Sequence, residues 1–83
     1  MPKSSLHPIE VGAERLTLRN AECMIQGCTR RVERRVIAHS GTPFAFVFSC
    51  LPHVPEAELL AVAALLDELV ATLAAQRQAE ASA

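Results

Sequence analysis

Residues 23–53 read CMIQGCTRRVERRVIAHSGTPFAFVFSCLPH, and the residues framing this stretch decide the fold. Cys23 and Cys28 enclose Met24, Ile25, Gln26 and Gly27 at its start. Cys50 and His53 enclose Leu51 and Pro52 at its end. Zinc takes four ligands in a tetrahedron, and thiolate and imidazole suit it. A turn must fold the first two sulfurs toward one point, and Gly27, free to adopt positive φ, permits that reversal just before Cys28. Residues three apart in a first helical turn share a face, so Cys50 and His53 can point together. A helix N-terminus also favours a thiolate there. The pattern predicts one Zn2+ held by Cys23, Cys28, Cys50 and His53. His39, beside the turn at a strand end, is the rival for the fourth position. The competing reading has no metal: free cysteine packs as a small hydrophobe, and the histidine is a surface residue.

Between the two ligand pairs lies a hairpin. Residues 30–38 form its first strand, with Val32, Val36 and Ala38 on one parity and Arg31, Glu33, Arg35 and Ile37 on the other. Ser40, Gly41, Thr42 and Pro43 signal the turn. Residues 44–49 return as a strand. Phe44, Phe46 and Phe48 share its one face, and they are all the aromatic residues of the chain. That face is therefore expected to be buried, at the centre of the core.

Outward from this unit, Arg15 to Arg19 alternates polar and apolar, as a short strand does. Residues 1–14, with Pro2, Pro8 and Gly12, read as a flexible arm. Downstream, Pro55 fits a first helical position, and Glu56 and Glu58 suit the positive end of the dipole. Alanine and leucine carry an uninterrupted helix over about 55–78, with a frayed tail at 80–83. The whole is an α+β chain: a zinc knuckle, a β-hairpin and one long C-terminal helix, forming a single domain over 15–79.

The spacing Cys23-x4-Cys28, a basic strand, a glycine turn, an aromatic strand and Cys50-x2-His53 opening a helix resembles the treble-clef zinc-finger pattern. It is similar to many small bacterial and phage proteins of that type. The resemblance covers 23 to about 75. It implies a knuckle, a hairpin and a helix whose start supplies the last two ligands. Functions among such proteins are diverse, so the resemblance implies no activity.

Four protein ligands leave no open position on the metal, so the zinc is expected to be structural and the chain not an enzyme. No small-molecule substrate is expected. Leu59, Val62, Leu66, Leu69 and Leu73 follow three–four spacing and fall within an arc of roughly 80° on one side of the helix. One short hairpin does not cover that stripe. A homodimer, or another protein bound along these five residues, is the expected partner arrangement.

Arg30, Arg31, Arg34 and Arg35 crowd the first hairpin strand. Residues 1–39 hold seven basic and four acidic side chains, and residues 40–83 one and five. The four arginines give an alternative reading, a nucleic-acid-binding accessory protein, because guanidinium forks match phosphate oxygens. The rival explanation is that charge on an edge strand discourages aggregation.

Composition sets the outer limits. The chain has 83 residues, 51% hydrophobic and 20% charged, with a formal net charge of -1. That is one globular core rather than a disordered segment or a polyanion coat. Three cysteines make an odd number, which a metal accommodates better than a disulfide framework. The N-terminus shows no secretory pattern, and Asp67 and Glu68 interrupt the apolar stretch from Leu59 to Ala75. The expectation is a cytoplasmic protein with no membrane segment.

Overall fold

The computed structural model of the chain describes residues 9–17 and 19–82. Three strands, β1 (Glu10–Arg15), β2 (Arg34–His39) and β3 (Phe44–Ser49), form an antiparallel sheet in the order β1-β2-β3. A single 3-10 turn, Leu51–His53, leads into the helix α1, Val54–Ser82. The α+β class and the order of hairpin and helix are those the sequence predicts.

The third strand lies elsewhere than expected. The arm predicted over 1–14 supplies β1 from Glu10 onward, while its first eight residues lie outside those described. The strand predicted over 15–19 contributes only Arg15, and its Leu18 is also undescribed. Apolar alternation does not mark β1, because all six of its residues are exposed. Its register is set across the sheet instead. Glu10 sits opposite His39 and Glu14 opposite Arg35. His39 Nε2 lies 3.2 Å from Glu10 Oε2, and Arg35 pairs with Glu14. The chain then leaves the sheet with the Leu16 amide donating to the Glu33 carbonyl at 3.0 Å.

β2 begins at Arg34 rather than at residue 30. Residues 30–32 bond back onto the preceding loop: the Cys23 amide donates to the Arg30 carbonyl, and Val32 to Ala21. Gly41, at φ +66°, supplies the left-handed residue of the β2–β3 turn. The amide of Ser40 closes that turn onto the Pro43 carbonyl at 3.2 Å.

The buried face of the sheet is the one opposite the phenylalanines. Val36, Ala38 and Val47 pack against Ala57, Ala61 and Leu65 of α1. Phe44 and Phe46 stay 59% and 44% exposed on the outer face. They form a ladder there, with ring centroids 6.4 Å apart for Phe44–Phe46 and 5.2 Å for Phe46–Phe48. The cause of this inversion is steric. Alanine at 57 and 61 brings the helix backbone down onto the sheet, and a layer that close accepts valine and alanine rather than phenyl rings.

The helix faces are reversed as well. Ala57, Ala61 and Leu65 are its buried residues. Leu59, Leu66 and Leu73 of the predicted stripe are exposed; Val62 and Leu69 are half-buried at its edge. α1 also outruns the sheet. Its 29 residues span roughly 43 Å, whereas a six-residue strand covers about 20 Å. Every residue from Val70 to Ser82 is exposed, and the helix continues through the tail expected to fray at 80–82. Alanine-rich sequence holds the helical conformation there without tertiary support. The radius of gyration, 15.8 Å, exceeds the roughly 12 Å of a globular chain this long, and the projecting helix accounts for it. Among the described residues, no helix is long and apolar enough to cross a membrane.

Ser49 is fully buried on the inner face, and its hydroxyl has no hydrogen-bond partner. An unpaired buried hydroxyl is destabilising. Ser49→Ala is therefore expected to raise stability by about 1 kcal/mol. A lowered urea midpoint at saturating metal would contradict this.

Candidate metal centre

The two ligand pairs arrive from different directions. Cys23 and Cys28 lie in a miniature hairpin between β1 and β2, whose stem is the antiparallel bridge Glu22–Arg31. Gly27 has φ +83°, the left-handed value the tight reversal requires, and the Cys28 amide donates to the Ile25 carbonyl at 3.0 Å. Met24 fastens this loop to the sheet. Its amide donates to the Phe48 carbonyl at 2.9 Å, and the Phe48 amide points at Met24 Sδ at 3.3 Å. Cys50 follows β3 directly. One 3-10 turn later, with its amide donating to the Cys50 carbonyl at 3.2 Å, comes His53.

All four ligand atoms lie within 4.8 Å of one another. Cys28 Sγ is 3.7 Å from Cys50 Sγ, Cys23 Sγ is 3.7 Å from His53 Nδ1, and Cys50 Sγ is 3.2 Å from His53 Nδ1. Two sulfurs held tetrahedrally at about 2.3 Å from zinc stand roughly 3.8 Å apart. A disulfide needs about 2.05 Å. The separations thus fit ligands around a common ion, and all three cysteines are free. Cys23 and Cys50 are buried, Cys28 and His53 half-buried. This Cys3His group could hold a metal ion. The rival His39 belongs to the outer face of the sheet, where it meets Glu10.

The electrostatics of the cluster favour a cation among its thiols. Burial pushes the Cys23 thiol up, but backbone hydrogen bonds at Cys50 and Ile25, with contacts from His53 and Cys28, bring it down to about 7. Burial pushes the Cys50 thiol up; a backbone hydrogen bond at His53 opposes this, and the neighbouring Cys28 and Cys23 add to the rise. Of these two, Cys23 ionises the more readily, and Cys50 resists a second negative charge beside it. A divalent cation removes that resistance.

The predicted arginine cluster is split. Arg34 and Arg35 are neighbours in β2, so they project to opposite faces. Arg35 pairs with Glu14, whereas Arg34 Nη1 donates to the Glu33 carbonyl at 3.0 Å. Arg30 and Arg31 are exposed on the stem of the knuckle. Arg31 and Arg34 instead share an open cleft with Arg15 and Arg19. Sequence spacing carries no signal for that grouping; it follows from the β1–β2 register, which sets Arg15 opposite Arg34.

Comparison with protein-family models, curated proteins and solved structures finds no match for this chain.

Proposed function

We propose that the chain is a small module built around one structural zinc ion, in the manner of a treble clef, and that it associates with a second copy of itself through α1. The observation that carries this reading is the leucine face. Leu59, Leu66, Val70 and Leu73 stand exposed on one side of the helix, Leu59 at 74%. A contiguous apolar surface of this kind marks an interaction site.

Charge supports a second copy running antiparallel. Pairing two helices about Leu66 sets Leu59 against Leu73 of the partner subunit. It also brings Arg77, on the same face, within a turn of Glu56 and Glu58 of the partner subunit. By symmetry the contact occurs twice. A parallel pair would instead hold Glu56, Glu58 and Arg77 level with their own copies, and like charges set against each other across an interface are unfavourable. The zinc, closed by four protein ligands, fixes the sheet to the helix start and is assigned no chemistry.

Native mass spectrometry reads both parts at once. The expected species carries one zinc per chain at twice the 9.0 kDa chain mass. Leu59→Glu combined with Leu66→Glu is expected to give a folded monomer, because neither side chain enters the core. Arg77→Glu is expected to weaken association at least several-fold, with Glu56→Arg and Glu58→Arg restoring it. A zinc-loaded 9.0 kDa particle at millimolar concentration would refute self-association.

A further inference from the structure

We propose that the cleft between Arg15, Arg19, Arg31 and Arg34 binds the phosphate backbone of a nucleic-acid strand. The cleft is open and encloses about 570 Å³. Leu51, between two metal ligands, forms part of its wall, and Glu33 is the lone acidic residue lining it. Four guanidinium groups against one carboxylate leave a local excess of three positive charges in a chain whose net charge is -1.

Among the described residues, the ion pairs are Arg35 with Glu14 and His39 with Glu10, so none involves a cleft arginine. The one internal hydrogen bond there, from Arg34 Nη1 to the Glu33 carbonyl, positions a guanidinium without neutralising it. Like charges crowded in a cleft attract a polyanion, and guanidinium forks match phosphate oxygens two at a time.

The shape selects the ligand. A single phosphate would satisfy one or two guanidinium groups and leave the others in mutual repulsion. A strand laid along an open groove offers successive phosphates to all four. No aromatic side chain lines the cleft, so bases have no stacking platform there. The contacts are then to the backbone, and recognition is indifferent to sequence. α1, which carries Glu56, Glu58, Asp67 and Glu68, contributes no residue to the lining of the cleft.

The test is fluorescence anisotropy with a labelled 15-nucleotide single-stranded DNA and the zinc-loaded full chain. Four phosphate contacts predict a log–log salt slope of about -2.8, which weakens binding about 50-fold between 50 and 200 mM salt. Arg19→Gln with Arg31→Gln is expected to reduce the slope by about 1.4, while Arg30→Gln, outside the cleft, leaves it unchanged. Arg19→Lys with Arg31→Lys, which keeps the charge, is expected to retain most of the slope. Zinc content and circular dichroism verify that each variant is folded. Absence of binding at 50 mM salt, equal loss in Arg30→Gln, or equally tight capture of a poly-glutamate peptide would each overturn the proposal.

Discussion

Stripping the proposed zinc from this protein with a chelator is expected to unfold its sheet. The core consists of six fully or nearly buried side chains, three of them alanine. Apolar burial on that scale contributes little against the backbone entropy of ordering the chain. The metal ligands come from two segments more than 20 residues apart, with β2 and β3 between them. Without the ion, the knuckle holds to the sheet through Met24 and a few backbone hydrogen bonds. Structural zinc in finger peptides is worth roughly 10–16 kcal/mol in apparent terms. The whole stability of a small domain is about 5–15 kcal/mol. An ion worth that much in the Cys3His group would decide whether the sheet exists. The readout is hydrogen exchange at Val36 and Val47, whose amides are expected to lose protection. The long alanine-rich helix retains part of its circular dichroism signal, so ellipticity alone is the weaker probe. Acid acts in the same direction: ligands must lose protons to bind, so affinity falls as pH falls. Amides in β2 and β3 that stay protected after complete metal removal would rule this account out.

The second large effect separates two adjacent leucines. Leu65 is fully buried against the sheet, whereas Leu66, one residue on, faces solvent. Leu65→Ala is expected to cost about 2–5 kcal/mol, the range for deleting a buried leucine. Leu66→Ala is expected to change monomer stability by less than about 0.5 kcal/mol, and to weaken self-association instead. Urea denaturation at saturating zinc measures the first. It must be done at low protein concentration, because the proposed dimerisation would stabilise by mass action and hide the contrast. Equal losses from the two substitutions would mean that α1 is rotated on the sheet.

The same pair explains why part of this fold was hidden in the sequence. A leucine stripe reads as the core face of a helix, and here it is the exposed face. The core is made with Ala57 and Ala61, which in a sequence look like plain helix formers. The same inversion moved the phenylalanines outside, because alanine leaves too little depth beneath the helix for a ring. β1 was hidden for another reason. It pairs through its backbone ladder with β2 and exposed polar side chains, so no apolar alternation announces it. The Cys3His cluster was legible because a candidate ligand group depends on residue type and local spacing, which need no knowledge of layer packing. Arg15 and Arg19 were not legible as partners of Arg31 and Arg34, since strand register alone brings them together.

β3 lies at an edge of the sheet and contains no charged residue, reading Phe-Ala-Phe-Val-Phe-Ser. Such an edge is a template for recruiting further strands. Backbone groups alternate in direction along a strand, so those of Phe44 and Phe46 face the same way as those of Phe48. Met24 acts as a gatekeeper at Phe48, and it sits between two metal ligands. Losing the ion would release that guard together with the knuckle. An uncapped aromatic strand of this kind would then be open to pairing with strands of other chains.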